Sequence, residues 1–97
     1  MFTRGRGEVV VYKIYYVKKA VNDIPKLKAA KLDKKAKTLI DIIKVNPFQN
    51  PPPYEKLQGD LAGVYSRRIN IKHRLVYEVY EEEQAVKIIS MWSHYEF

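Results

Sequence analysis

The chain has 97 residues, 46% of them hydrophobic, with eight tyrosines and no cysteine. That length suits one folded domain with a modest core, and the absence of cysteine excludes disulfides, thiolate metal sites and a cysteine nucleophile. The net charge of +7 is uneven: Met1 to Asn46 carries 12 Lys/Arg against 4 Asp/Glu, and Pro47 to Phe97 carries 6 against 7. A lysine-rich first half fits either solvated helix faces or a surface that docks on a polyanion. No apolar run approaches a membrane span and no signal-peptide core is visible, so the cytosol is the expected compartment.

Met1 to Gly7 reads as a loose arm broken by Gly5 and Gly7. Glu8 to Val17, rich in Val, Tyr and Ile, predicts a strand that is apolar on both faces and therefore buried. Lys18 to Ala30 predicts a helix with Val21, Ile24 and Leu27 at helical spacing. Pro25 lies inside it and predicts a kink or a start near Ile24. Leu32 to Lys44 predicts a second helix, with Leu32, Ala36, Leu39, Ile40 and Ile43 as its apolar stripe, stopped at Asn46-Pro47. Pro47 to Pro53 reads as a stiff, extended connector. After a loop with a short strand over Tyr54 to Leu61 come three strands, Val64 to Ile71, Arg74 to Tyr80 and Ala85 to Trp92. Their tight links predict an antiparallel meander. The expected fold is α+β, one domain over residues 1–97: an N-terminal strand, a helix hairpin, then an antiparallel sheet of three to four strands. The helices would cover one face of the sheet and leave the other for chemistry.

The residues suited to chemistry lie in the second half. Arg67, Arg68 and Arg74 flank one hairpin turn. A three-residue turn, Asn70 to Lys72, sets Arg68 opposite Arg74; a two-residue turn sets Arg68 opposite Leu75. Facing like charges destabilise a sheet unless an anion sits between them; the plain alternative is that each arginine pairs with a nearby acid. Glu55 follows the proline run, which would fix its direction, and can serve as a general base. His94 can move a proton near neutral pH. His73, at the turn, is expected to be structural or solvent-facing. Tyr65, Tyr77, Tyr80, Trp92 and Tyr95 can stack on bases, with Tyr77 and Trp92 expected in the core and Tyr95 exposed. No metal-ligand spacing, phosphate loop or nucleophile elbow is present. One carboxylate, several guanidiniums and an imidazole suffice to cleave RNA without a metal or any other cofactor.

The blocks Asn46-Pro47-Phe48, Glu55-Lys56-Leu57, Leu61-Ala62-Gly63, Tyr65-Ser66-Arg67-Arg68-Ile69, His73-Arg74-Leu75-Val76-Tyr77 and Ser93-His94-Tyr95 resemble, in order and spacing, the YoeB/Txe toxins of the RelE-like superfamily. The first half matches in layout more than in distinctive residues. The resemblance implies a toxin of a bacterial toxin–antitoxin system that cuts mRNA on the ribosome and so inhibits translation. Its implied partners are the 70S ribosome, mRNA and a cognate antitoxin of the YefM, Axe or Phd kind, with a homodimer also compatible. It implies Glu55 as general base, Arg74 as stabiliser of the phosphorane, His94 as general acid and Tyr95 as orienting group. Arg68 and Arg67 would contact the substrate. Glu96 and Phe97 extend past the terminal His-Tyr pair. The rival expectation is a non-catalytic RNA- or ribosome-binding module of the same fold.

Overall fold

The computed structural model describes residues 11–57 and 63–93. The order is β1 (Lys13–Tyr16), α1 (Lys18–Ala29), α2 (Asp33–Val45), β2 (Glu55–Lys56), β3 (Val64–Arg68), β4 (Arg74–Tyr80) and β5 (Ala85–Ser93). The five strands form one sheet in the order β1-β5-β4-β3-β2. The β2–β5 pairings are antiparallel and β1 joins β5 in parallel, so the expected α+β fold is present as a mixed sheet.

α1 turns Ala20, Asp23 and Leu27 inward, and α2 turns Ala36, Leu39, Ile40 and Ile43 inward. These meet Leu75, Tyr77, Val86, Ile88 and Met91 from one face of the sheet. Pro25 sits inside α1 without ending it. The carbonyl it leaves unbonded belongs to Val21, a residue 48% exposed, so water can satisfy it. The hairpin between the helices closes with Lys31 in the left-handed region (φ 61). There Lys31 N–H donates to the Lys28 carbonyl and Leu32 N–H to the Leu27 carbonyl, which satisfies the helix end.

β1 departs from expectation. It is an edge strand, mostly exposed, with Tyr15 and Tyr16 at 54% and 42% exposure. Its apolar composition suggested burial on both faces, but a strand's burial depends on its neighbours, and β1 has only β5. The Glu8 to Val10 portion of that predicted strand, and the arm before it, lie outside the described residues. The stretch Pro47 to Pro53 is not extended. It turns at Pro47-Phe48 and bends at Pro51-Pro52, folding back against β3.

Asp23 is fully buried on the inner stripe of α1. Burial pushes its carboxyl up, but the hydrogen bond from Lys19 and the N–H groups of Met91 and Trp92 outweigh it and hold the group below 3.8. A depressed carboxyl contributes stability that is complete above the unfolded value and is lost as pH falls through the lower folded value. Thermal unfolding below pH 4 is therefore expected to show a stability loss that Asp23→Asn lacks. Parallel pH profiles for the two proteins would refute this.

Candidate active site on the open face of the sheet

Alternation along β3 sends neighbouring residues to opposite faces. Ser66 and Arg68 point to the face away from the helices, Tyr65 and Arg67 toward the core. Register carries the first set across the sheet: Glu55 is opposite Ser66, and Arg68 is opposite Arg74. The turn that fixes this register is built by Asn70. Its side-chain oxygen accepts the N–H of Lys72 (2.9 Å) and of His73 (2.7 Å), while Ile69 N–H donates to the His73 carbonyl. Of the two turn lengths considered, the structure adopts the one that faces Arg68 with Arg74.

Arg74 Nη1 lies 2.6 Å from Glu55 Oε1 and donates to Ser66 Oγ at 2.8 Å. Arg68 stays exposed. The Arg74 side chain is only 13% exposed and that of Glu55 56%. The pair thus sets a largely desolvated cation beside a carboxylate that a ligand can reach. A second buried apolar cluster, Leu57, Val64 and Val76 with Ile89 against it, lies on this face of the sheet.

β2 is only two residues long, so the position of Glu55 depends on the loop before it, and Arg67 holds that loop. Arg67 is 1% exposed. It donates from Nε to Tyr77 Oη (3.2 Å), from Nη1 to the Pro52 carbonyl (2.6 Å), and from Nη2 to the carbonyls of Pro47 (3.0 Å) and Gln49 (2.9 Å). Tyr77 Oη in turn donates to the Pro47 carbonyl at 2.8 Å. Burial pushes the Tyr77 phenol up to about 12, against the pull of Arg67. The expectation that Arg67 contacts substrate is corrected by this placement: its charge is buried and its donors are engaged with the loop.

The aromatic residues divide likewise. Tyr77 is buried as expected. Tyr65 packs among Phe48, Tyr54 and Tyr77 and so is part of the core side, not a surface for stacking bases. Trp92 is partly buried and stacks on the His73 ring, with centroids 3.8 Å apart, which gives His73 a structural contact. Tyr80 Oη donates to Glu78 Oε1 at 2.8 Å, and the Lys87 ammonium lies 5.6 Å from its ring centroid. His94 and Tyr95 lie outside the described residues; the last described one, Ser93, pairs with Arg74. Ser66 and Asp23 were not anticipated. Asp23 lies off the stripe Val21, Ile24 and Leu27 expected from spacing; α1 instead buries Ala20, Asp23 and Leu27 and leaves Val21 48% exposed. Among the described residues no three His, Cys, Asp or Glu side chains gather as a metal site, and no helix is long and apolar enough to cross a membrane.

Comparison with known proteins identifies the family and the fold. Residues 16–95 match the family model of the YoeB-like toxin of bacterial type II toxin–antitoxin systems. A Toxin YoeB of Synechocystis is 41% identical over 66 residues, spanning 68% of this chain and 74% of that protein. The solved YoeB/ParE toxin from Agrobacterium tumefaciens superposes with a TM-score of 0.77 at 33% identity, over 86% of this chain and 99% of its own. YoeB of Staphylococcus aureus, solved with YefM and also as a dimer, gives TM-scores of 0.73 and 0.74 at 36% identity, over 87% of this chain and 98% of its own. The chain belongs to the YoeB-like toxins of bacterial type II toxin–antitoxin systems.

Proposed function

We propose that this toxin is a ribosome-dependent endoribonuclease that cuts mRNA by acid–base chemistry without a metal. The observation that carries this reading is the Glu55–Arg74 contact of 2.6 Å on the open face of the sheet. Glu55 takes the proton from a 2′-hydroxyl. The freed oxygen attacks the adjacent phosphorus, and Arg74, helped by Arg68, holds the charge that develops on the non-bridging oxygens. His94 protonates the departing 5′-oxygen, and Tyr95 orients the nucleotide at the scissile bond. The products are a 2′,3′-cyclic phosphate and a 5′-hydroxyl.

The test is cleavage of translated mRNA in a cell-free system by wild type and by Glu55→Gln, Arg74→Ala and His94→Gln. Wild type cleaves and each variant is strongly impaired; undiminished cleavage by all three sinks the assignment. Growth arrest that survives His94→Gln would instead favour blocking of the ribosome without catalysis.

Docking on ribosomal RNA is assigned to the lysines around the α1–α2 turn, of which Lys28, Lys31, Lys34 and Lys35 are exposed. Neutralising about four phosphates lowers affinity roughly 10²-fold over a fourfold rise in salt. A sedimentation assay with ribosomes measures this, and a flat salt response contradicts it. The relative solved with YefM supports an antitoxin as the physiological inhibitor, and the solved dimer supports self-association of the free toxin. The proposed partners go with a location in the bacterial cytoplasm.

A further inference from the structure

β5 does not pair regularly with β4. Tyr77 faces Ile88, and a regular antiparallel ladder continued from that pair would set Met91 opposite Arg74. Ser93 stands there instead. Two irregularities, one between Tyr77 and Val76 and one between Val76 and Arg74, take up the extra residues. Bulges of this kind interrupt the ladder and leave N–H groups without strand partners.

Asp23 supplies the acceptor at the second irregularity. Its Oδ2 accepts the N–H of Met91 (3.0 Å) and of Trp92 (3.1 Å). Lys19 Nζ donates to the same oxygen at 2.8 Å, and also to Ser90 Oγ (3.2 Å) and the Trp92 carbonyl (3.4 Å). A buried carboxylate on α1 and its lysine thus grip three consecutive residues of β5, while the Trp92 ring is held by His73. The two irregularities together move the strand by two residues, about 7 Å along its axis, and between them Met91 is turned into the helix-side core. This shift decides that the residue paired with Arg74 is Ser93, whose chain neighbour is His94.

We propose that Asp23, together with Lys19, is a positioning residue for the cleavage reaction. It holds β5 in the shifted register that sets Ser93, the residue before His94 in the sequence, opposite Arg74. The inference rests on the cleavage reading, in which His94 protonates the 5′-oxygen. Nothing in the sequence motifs of the second half requires it, because Asp23 lies on α1, on the opposite side of the sheet from the Glu55–Arg74 pair.

The test compares two ribosome-bound mRNAs, one ordinary and one with sulfur replacing the 5′-oxygen at the scissile bond. A thiolate departs without being protonated, so a defect confined to the acid disappears on the sulfur substrate. Asp23→Ala is expected to cleave ordinary mRNA on the order of 10²-fold more slowly than wild type, yet to come within about tenfold of it on the sulfur substrate. Asp23→Asn, which keeps one oxygen to accept an N–H, is expected to fall between. If Asp23→Ala does not fold, Asp23→Asn carries the same comparison. His94→Gln is the reference and should recover in the same way. Recovery of His94→Gln alone overturns the positioning role and leaves the cleavage reading intact. Recovery of neither variant, or an inactive wild type, overturns the acid assignment itself and the proposal with it.

Discussion

Arg74→Ala is expected to slow mRNA cleavage on the order of 10²–10³-fold, the range found when one preorganised donor to a developing oxyanion is removed. The effect should exceed that of Arg68→Ala, and the reason is burial. The Arg74 side chain is 13% exposed and fixed by Glu55 and Ser66, so its charge acts through a poorly screened medium and needs no reorganisation when the phosphorane forms. Arg68 is exposed on the same face, so its charge is screened by water. Arg74→Lys keeps the charge but replaces a planar, delocalised guanidinium, whose Nη1 serves both Glu55 and Ser66, with a compact ammonium on a different stem, so it should recover only part of the rate. Single-turnover cleavage on programmed ribosomes measures all three. Equal losses for Arg68→Ala and Arg74→Ala would show that burial of Arg74 confers no advantage.

Arg67→Met is expected to lower stability by about 3–5 kcal/mol. The change removes the donors to three loop carbonyls and to Tyr77, and leaves two buried acceptors, Tyr77 Oη and the Pro47 carbonyl, and two half-buried ones, on Gln49 and Pro52, without their cation. A domain of this size has about 5–15 kcal/mol in total, so much of the reserve disappears. At about 4–8 °C per kcal/mol the midpoint of thermal unfolding should fall by more than about 10 °C. Arg67→Lys should rescue little, because one ammonium cannot reach carbonyls on Pro47, Gln49 and Pro52 at once. Calorimetry on the purified variants decides this; a midpoint within about 3 °C of wild type would mean that the loop is held by other contacts. Arg68→Met, one residue along, should change the midpoint by far less because that side chain is exposed.

The contrast between these adjacent arginines shows what the sequence could reveal. The apolar stripe of α2 and the meander of β3 to β5 follow from periodicity, because side chains 3.6 or 2 residues apart share a face. The family resemblance rests on blocks whose spacing survives in the fold. What could not be read was which neighbour each element acquires. β1 looks buried by composition yet forms an edge, and Pro47 to Pro53 looks stiff yet curls around a guanidinium. Arg67 and Arg68 are chemically identical in the sequence; only the turn at Asn70 and the pairing with β4 determine which of them enters the core. The Glu55–Arg74 contact joins two strands that are not neighbours in the sheet, reaching across β3, and no local pattern encodes such a reach. Asp23 was not legible: spacing put Val21, Ile24 and Leu27 on the inner stripe of α1, whereas the face that meets the sheet carries Ala20, Asp23 and Leu27, and the donors to Asp23 come from the far end of the chain.

The alternation in β3 has a genetic consequence. Deleting or inserting one in-frame codon within Val64–Arg68 would exchange the destinations of Arg67 and Arg68: one guanidinium would leave the loop it secures while the other was driven toward the core. Most single substitutions that silence a toxin of this kind should separate into folded, inactive chains and unstable ones. An indel in β3 belongs to both groups at once. Among escape alleles selected for survival, such lesions should therefore be recovered as proteins that fail to accumulate, and not as soluble chains with a blunted active face.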